Sequence, residues 1–452
     1  MKKLFYNLRL FDGINDELQD KMGILVNGER IERIVEEAAS DQYQDYELID
    51  LRGFTLLPGL IDAHIHITVP FIMEVTSKGL MQANRQIGMN FENCVRYGVT
   101  TVRDMAAFPR KIEHWREKIN SGKAIGPRIL TAKSFITSRD GVPEMAPTLN
   151  PIEALITGGQ FVERLSTPDE VRRAAHRLVD QKADWLKTQY SEHSFLFHGK
   201  LSNLTDECFA ALMKASRERG VNVAMHHTEA AGFRKGLQFA VNSLEHCSTD
   251  ELTDQEVEQF VQKDMSIVPT LKVLGDSFEI EDILNWLKGE GKKSFLSEPL
   301  RQSTAGIALL MKKPYPPSDY MDKFYPDIDF FKRGYPVALK NVERIKKAGG
   351  KIGVGTDTCG TGMSFFGYYW KELYHLTKAG FTNREALKAA TSVNADLIGI
   401  NEIGSIQPGK YADFTIVEGN PLEDISQLKN VRMVVKDGQI VTRNMPSPHP
   451  AS

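Results

Sequence analysis

The sequence predicts an α/β chain in which a (β/α)8 TIM barrel carries a small β-sandwich built from both chain ends. Three observations predict it. Apolar, strand-like runs alternate with helical stretches eight times through the middle of the chain. Both ends instead carry short apolar runs broken by turn dipeptides. Metal-competent side chains recur at the C-terminal ends of the middle runs, where barrels of this kind build their sites.

At the start, LFYNLRLFDG, MGILVNGERIERIV and YELIDLRGFTLLPG are punctuated by Asp12-Gly13 and Asn27-Gly28. Such dipeptides accept the positive φ of hairpin turns. From about Ile403 to Val441 the pattern returns in GSIQPGKYADFTIVEGNP and VRMVVKDGQIV, with Asp437-Gly438 in the second. Neither end has enough strands to bury a core alone. Residues 1–55 and 403–445 are therefore expected to form one composite β-sandwich, residues 56–402 the barrel, and 446–452 a disordered tail.

The eight middle strands are expected in LIDAHIHI, VTTVRDM, PRILTAK, ADWLKTQ, VNVAMHH, NSLEHCS, MSIVPTL and KIGVGTD. Between them, TPDEVRRAAHRLVDQK shows helical apolar spacing, with Thr167 as the cap and Pro168 at the first helical position. The stretch from about Lys272 to Tyr335 is long for a strand-to-helix connection and is expected to form an excursion over the barrel mouth.

Composition narrows the function. The 452 residues are 41% hydrophobic and 25% charged, with a formal net charge of −3, so no basic field invites nucleic acid. The N-terminal MKKLFYNLRLFDG lacks a signal-peptide core, because Asn7, Arg9 and Asp12 interrupt it. No run of about 18 apolar residues occurs to span a membrane. Cys94, Cys208, Cys247 and Cys359 lie far apart without a CxxC pair, which points to a reducing, cytoplasmic location. A small-molecule substrate is expected, with no nucleic-acid or membrane partner, and assembly into a homo-oligomer is left open.

His64 and His66 stand two apart at the end of an apolar run. A strand repeats every two residues, so both imidazoles share the face that Ile65 avoids. On a barrel strand that face is the lumen, where two nitrogens can serve one cation. Two hydrogen-bonded histidines at a strand end are the bland alternative. His226 and His227 close the fifth run, His246 the sixth and Asp357 the eighth. An aspartate after a strand also caps helices, but closure of a barrel would set this one beside the HxH strand. Imidazole and carboxylate donors suit Zn2+, with Mn2+, Fe2+ or Co2+ as other occupants.

In order, LLPGLIDAHIHI, GVTTVRD, SLEHC, VPTL, GVGTDT, ATSVNADLIG and GSIQPGKYADFTIVEGNPL resemble the amidohydrolase superfamily. The likeness is to its imidazolonepropionase-like and prolidase-like branch, which includes dipeptidases that release proline, arginine or lysine. It implies a hydrolytic site with one or two metals. In binuclear members the lysine ending the fourth strand carries a CO2-derived carbamate, which would make Lys187 a bridging ligand; a plain ammonium has no lone pair to offer. The spacing in similar proteins selects His226 as the ligand and leaves His227 beside it. His64, His66 and Asp357 would hold one metal and His226 and His246 the other. A metal-activated hydroxide would attack a carbonyl while Asp357 shuttles the proton.

Similar dipeptidases follow the lysine with a glycine-rich segment, whereas this chain reads TQYSEHSFLFHG. Tyr190, His193 and His198 there, with Arg139 and His227, are the candidate substrate contacts. The reading is amide or peptide-like C–N hydrolysis. Its rivals are a mononuclear cyclic-amide hydrolase or deaminase, a lactone, carbamate or organophosphate hydrolase, and a catalytically dead scaffold.

Overall fold

The computed structural model describes residues 2–38, 42–70, 77–143, 148–194, 200–278, 284–285, 328–360 and 368–443. The N-terminal strands are β1 (Lys2–Leu10), β2 (Gln19–Asn27), β3 (Arg30–Glu36), β4 (Glu47–Asp50) and β5 (Phe54–Pro58). β1, β2 and β3 pair antiparallel in succession, while β4 and β5 lie parallel to β1.

Next come β6 (Leu60–Pro70), β7 (Val99–Asp104), β8 (Arg128–Thr131), β9 (Phe135–Thr137), β10 (Val162–Arg164) and β11 (Trp185–Gln189). They are followed by β12 (Asn222–His226), β13 (Ser243–Glu245), β14 (Ser266–Val268), β15 (Lys351–Ile352) and β16 (Thr358–Gly360). All pairings among them are parallel, in two arcs: β10-β9-β11-β12-β13-β14-β15 and β16-β6-β7-β8. Backbone bonds cross both seams between the arcs. The Asp184 amide donates to the Thr131 carbonyl at 2.8 Å, and the Ala63 amide to the Val354 carbonyl at 2.9 Å. Every residue of β7 is buried, as a parallel strand covered on both faces requires. Helices such as Pro168–Asp180 supply that cover. It starts at Thr167 in a capping box and buries Val171, Ala174, Ala175 and Leu178.

All eight expected middle runs contain strands. Three short strands, β9, β10 and β16, come in addition; three residues each offer too short a pattern to read. The expected excursion opens with a helix at Leu271–Gly275 and ends in the helix Ile328–Lys347. Most of what lies between, the tail from 446 and His198 fall outside the described residues.

The C-terminal strands β17 (Phe414–Glu418), β18 (Val431–Lys436) and β19 (Gln439–Arg443) return to the first five. β5 pairs with both β1 and β17, so the two ends share one eight-stranded sheet, ordered β19-β18-β17-β5-β1-β2-β3 with β4 on β1. It encloses a core that includes Phe5, Leu8, Ile24, Leu56, Phe414, Ile416 and Met433. Asp437 and Gly438 both take positive φ, 49° and 71°, which gives the expected tight turn. This sheet docks where the parallel strands begin. Gly59 before β6 donates to the Asp413 carbonyl at 2.8 Å, and Thr415 Oγ1 to the Gly98 carbonyl before β7 at 2.6 Å. Arg128, the first residue of β8, ion-pairs with Asp413 at 2.6 Å and with Asp437. The opposite, C-terminal strand ends carry the metal-competent side chains.

Candidate active site

At those C-terminal ends, residues far apart in sequence meet. His64 and His66 on β6 bring their rings to 5.4 Å. The amide of Asp357 donates to the His64 carbonyl at 2.7 Å and seats its carboxylate beside both rings. Oδ1 of Asp357 lies 3.4 Å from His64 Nε2 and 3.2 Å from His66 Nε2. His246, one residue past β13, places its ring 5.0 Å from His64 and 4.4 Å from His226. Ligand-type atoms of His64, His246 and Asp357 all fall within 4.8 Å of one another.

Lys187 on β11 is 1% exposed, and its Nζ has no hydrogen-bond partner. Burial pushes its pKa down to about 8. Burial, aided by the Lys187 charge, pushes His64 down to about 4. Burial also drives His226 and His246 well below the usual histidine value. These imidazoles are therefore neutral at pH 7, with lone pairs to offer. Burial opposes ionisation of Asp357, but His64, His66 and Lys187 outweigh it and hold the carboxyl below its ordinary value.

The backbone is strained at this rim. His246, Thr270 and Asp357 adopt φ of 71°, 46° and 49°, a left-handed region that costs non-glycine residues about 1 kcal/mol or more each.

Three of the rings are anchored at Nδ1. His64 Nδ1 lies 2.7 Å from Glu245 Oε2, His66 Nδ1 3.2 Å from the Ala106 carbonyl, and His246 Nδ1 2.6 Å from Thr270 Oγ1. Burial would raise the Glu245 pKa, yet Arg103 and His64 hold it far below the carboxylate range. Asp62 accepts from the His64 amide and from the amide and hydroxyl of Thr356; burial still pushes it up to about 7. Asp104 likewise rises to about 7 by burial while accepting from the Ile67 and Ala106 amides.

These contacts test the fit of a metal. His64 must donate from Nδ1 to the Glu245 carboxylate, which leaves its Nε2 as a lone pair. Against the pull of burial, Asp357 Oδ1 at 3.2 Å from His66 Nε2 holds the His66 pKa above its ordinary value. The His64 lone pair faces the same oxygen and favours a cation between them. The Nε2 atoms of His64 and His226 have no hydrogen-bond partner. The donor set fits a divalent cation such as zinc.

The remaining candidates are scattered. His227 is fully buried; its Nδ1 lies 3.1 Å from the Glu245 carbonyl, and its ring packs on Phe233. The Tyr190 ring lies against Phe209 and Lys235 of the outer helices. His193 is exposed and contacts Glu229 Oε1 at 2.9 Å; with Glu192 it forms a second group of ligand-type residues. Arg139 is exposed, and its carbonyl accepts from Arg164. Sequence reasoning missed Glu245, Arg103, Asp62, Asp104 and Thr270. Glu245 and Arg103 sat in view within SLEHC and GVTTVRD, but nothing in one dimension pairs them.

The amidohydrolase family profile matches residues 55–441. An ochratoxinase from Aspergillus niger is 24% identical over 412 residues, covering 85% of this chain and 75% of its own length. The crystal structure of the A. niger ochratoxinase superposes with a TM-score of 0.74 at 19% identity, covering 98% of this chain and 96% of its own. A crystal structure of a Xaa-Pro dipeptidase with bound methionine gives 0.75 at 26% identity, covering 97% and 99%. A putative prolidase from Bifidobacterium longum gives 0.72 at 24%, covering 99% and 96%.

Proposed function

The chain belongs to the amidohydrolase family, and on that premise we propose that it is a metal-dependent hydrolase of an amide or peptide-like C–N bond in a small molecule. The dipeptidase-like form of the reaction is favoured by its likeness to a Xaa-Pro dipeptidase. The single observation that carries the reading is the convergence of His64, His246 and Asp357 within 4.8 Å, from three strand ends. We read the two parallel arcs as one (β/α)8 barrel of residues 56–402, and the shared terminal sheet of 1–55 and 403–445 as its sandwich.

His64, His66 and Asp357 would hold one cation, and His226 and His246 a second, with zinc the best match to the donors. Such cations supply Lewis-acid polarisation of a carbonyl and activation of water near neutral pH. Lys187 would bridge them as a carbamate. Its pKa near 8 leaves some neutral amine at pH 7, the form that adds to CO2 with loss of a proton. Asp357, held ionised, accepts a proton at its carboxylate and returns it to the leaving nitrogen.

The mononuclear ring hydrolase or deaminase is the second reading. One observation favours it: the tight ligand group contains neither His226 nor Lys187. Zinc analysis of the full chain reconstituted with bicarbonate, joined to a dipeptide-library assay, separates the two. About two zinc equivalents and dipeptide cleavage support the binuclear reading. About one equivalent, with activity on cyclic amides, supports the mononuclear one. No bound metal contradicts both.

A further inference from the structure

Glu245 sits at the hub of the rim without being one of its ligands. It is fully buried, as are Arg103 and Ser243. Oε2 faces His64 Nδ1 at 2.7 Å, while Oε1 accepts from Arg103 Nη2 at 2.7 Å and Ser243 Oγ at 2.6 Å. Arg103 is fixed in turn, donating from Nε to the Ala63 carbonyl at 2.6 Å and stacking 4.4 Å from the Trp185 ring centroid.

We propose that Glu245, clamped by Arg103, is a positioning residue that locks His64 in its Nδ1–H tautomer and presents Nε2 as a lone pair to the cation. The proposal rests on the metal-dependent reading above. A carboxylate can only accept, so the ring nitrogen facing it must carry the proton. On the other side Asp357 Oδ1 lies 3.4 Å from Nε2, too long to hold the proton against the 2.7 Å contact at Nδ1. Arg103 decides which way an amide at position 245 would turn. In Glu245→Gln the amide oxygen must face the guanidinium, which aims the NH2 group at His64 Nδ1. The ring then has to accept there, its proton moves to Nε2, and the ligand lone pair is lost.

The test uses the full chain with 15N-labelled histidine, metal-free, with the His64 resonances assigned through His64→Gln. It is joined to zinc titration against a chromophoric chelator. The wild-type chain should show His64 protonated at Nδ1. Glu245→Gln should show it at Nε2 and bind zinc about 10- to 100-fold more weakly, the range typical of lost partners to metal ligands. Arg103→Met combined with Glu245→Gln removes the stranded buried charge and frees the amide oxygen to face His64. The Nδ1–H signature and most of the zinc affinity should return. If Glu245→Gln does not fold, the wild-type and double-variant spectra still decide. An Nε2–H or doubly protonated His64 in the wild type at pH 7 overturns the proposal, as does a folded double variant that stays in the Nε2–H form. A wild-type chain that binds no zinc sinks the metal reading instead, while its tautomer is still read from the metal-free spectra.

Discussion

Two groups of three ligand-type residues lie among the described residues, and they differ in almost everything but composition. His64, His246 and Asp357 sit in a desolvated rim, with His64 Nε2 unpartnered and two of the three residues in left-handed backbone. Glu192, His193 and Glu229 lie on loops after β11 and β12, with the His193 side chain 60% exposed. There Glu229 already uses both oxygens, one on His193 and one on the Glu192 amide at 2.7 Å. The difference teaches that ligand chemistry alone does not make a site. Burial that leaves lone pairs unsatisfied does, because only a cation relieves it.

Substitutions at the rim should break the protein's chemistry, and substitutions at the loop group should not. The largest effect belongs to Asp357→Asn, which keeps the shape but removes the anionic acceptor between His64 and His66. Turnover should fall by about 10³-fold or more with little change in the thermal melting curve; near-normal kcat/KM would remove Asp357 from the reaction. Lys187→Ala should next cost about half of the bound zinc, measured by elemental analysis. Unchanged metal content would favour the mononuclear reading.

Burial around the rim should also appear in stability against pH. Burial pushes His227 down to about 4, below its ordinary value near 6.5. A depressed pKa means the unfolded chain binds the proton more readily, so this contribution is present above pH 6.5 and is lost as pH falls toward 4. Relative to His227→Asn, the wild-type chain should lose about 3 kcal/mol over that window in urea melts. A pH-independent difference would contradict the burial of a neutral ring. The smallest effect is expected at the loop group. His193→Ala should leave zinc content unchanged and kcat/KM within about twofold, since an exposed ion pair contributes little. A lost zinc equivalent would erase the contrast.

Much of the rim was legible because strand periodicity is rigid. The two-residue spacing put His64 and His66 on one face, and the ends of successive apolar runs put His226, His246 and Asp357 at the same height. The same rule shows why Tyr190 points elsewhere: three residues beyond Lys187, it falls on the opposite face, against Phe209. Periodicity says nothing about which buried charges meet across strands. Arg103 and Glu245 are 142 residues apart, and only the curvature of the parallel arcs brings them together. The shared terminal sheet was legible as hairpins, but not in its order, since β5 joins the two ends through pairings that no local pattern encodes.

The most direct test is an anomalous difference map from a crystal of the zinc-loaded chain. The account predicts strong peaks among His64, His66 and Asp357 and beside His226 and His246. A rim without density, or a peak seated only at Glu192, His193 and Glu229, would contradict it.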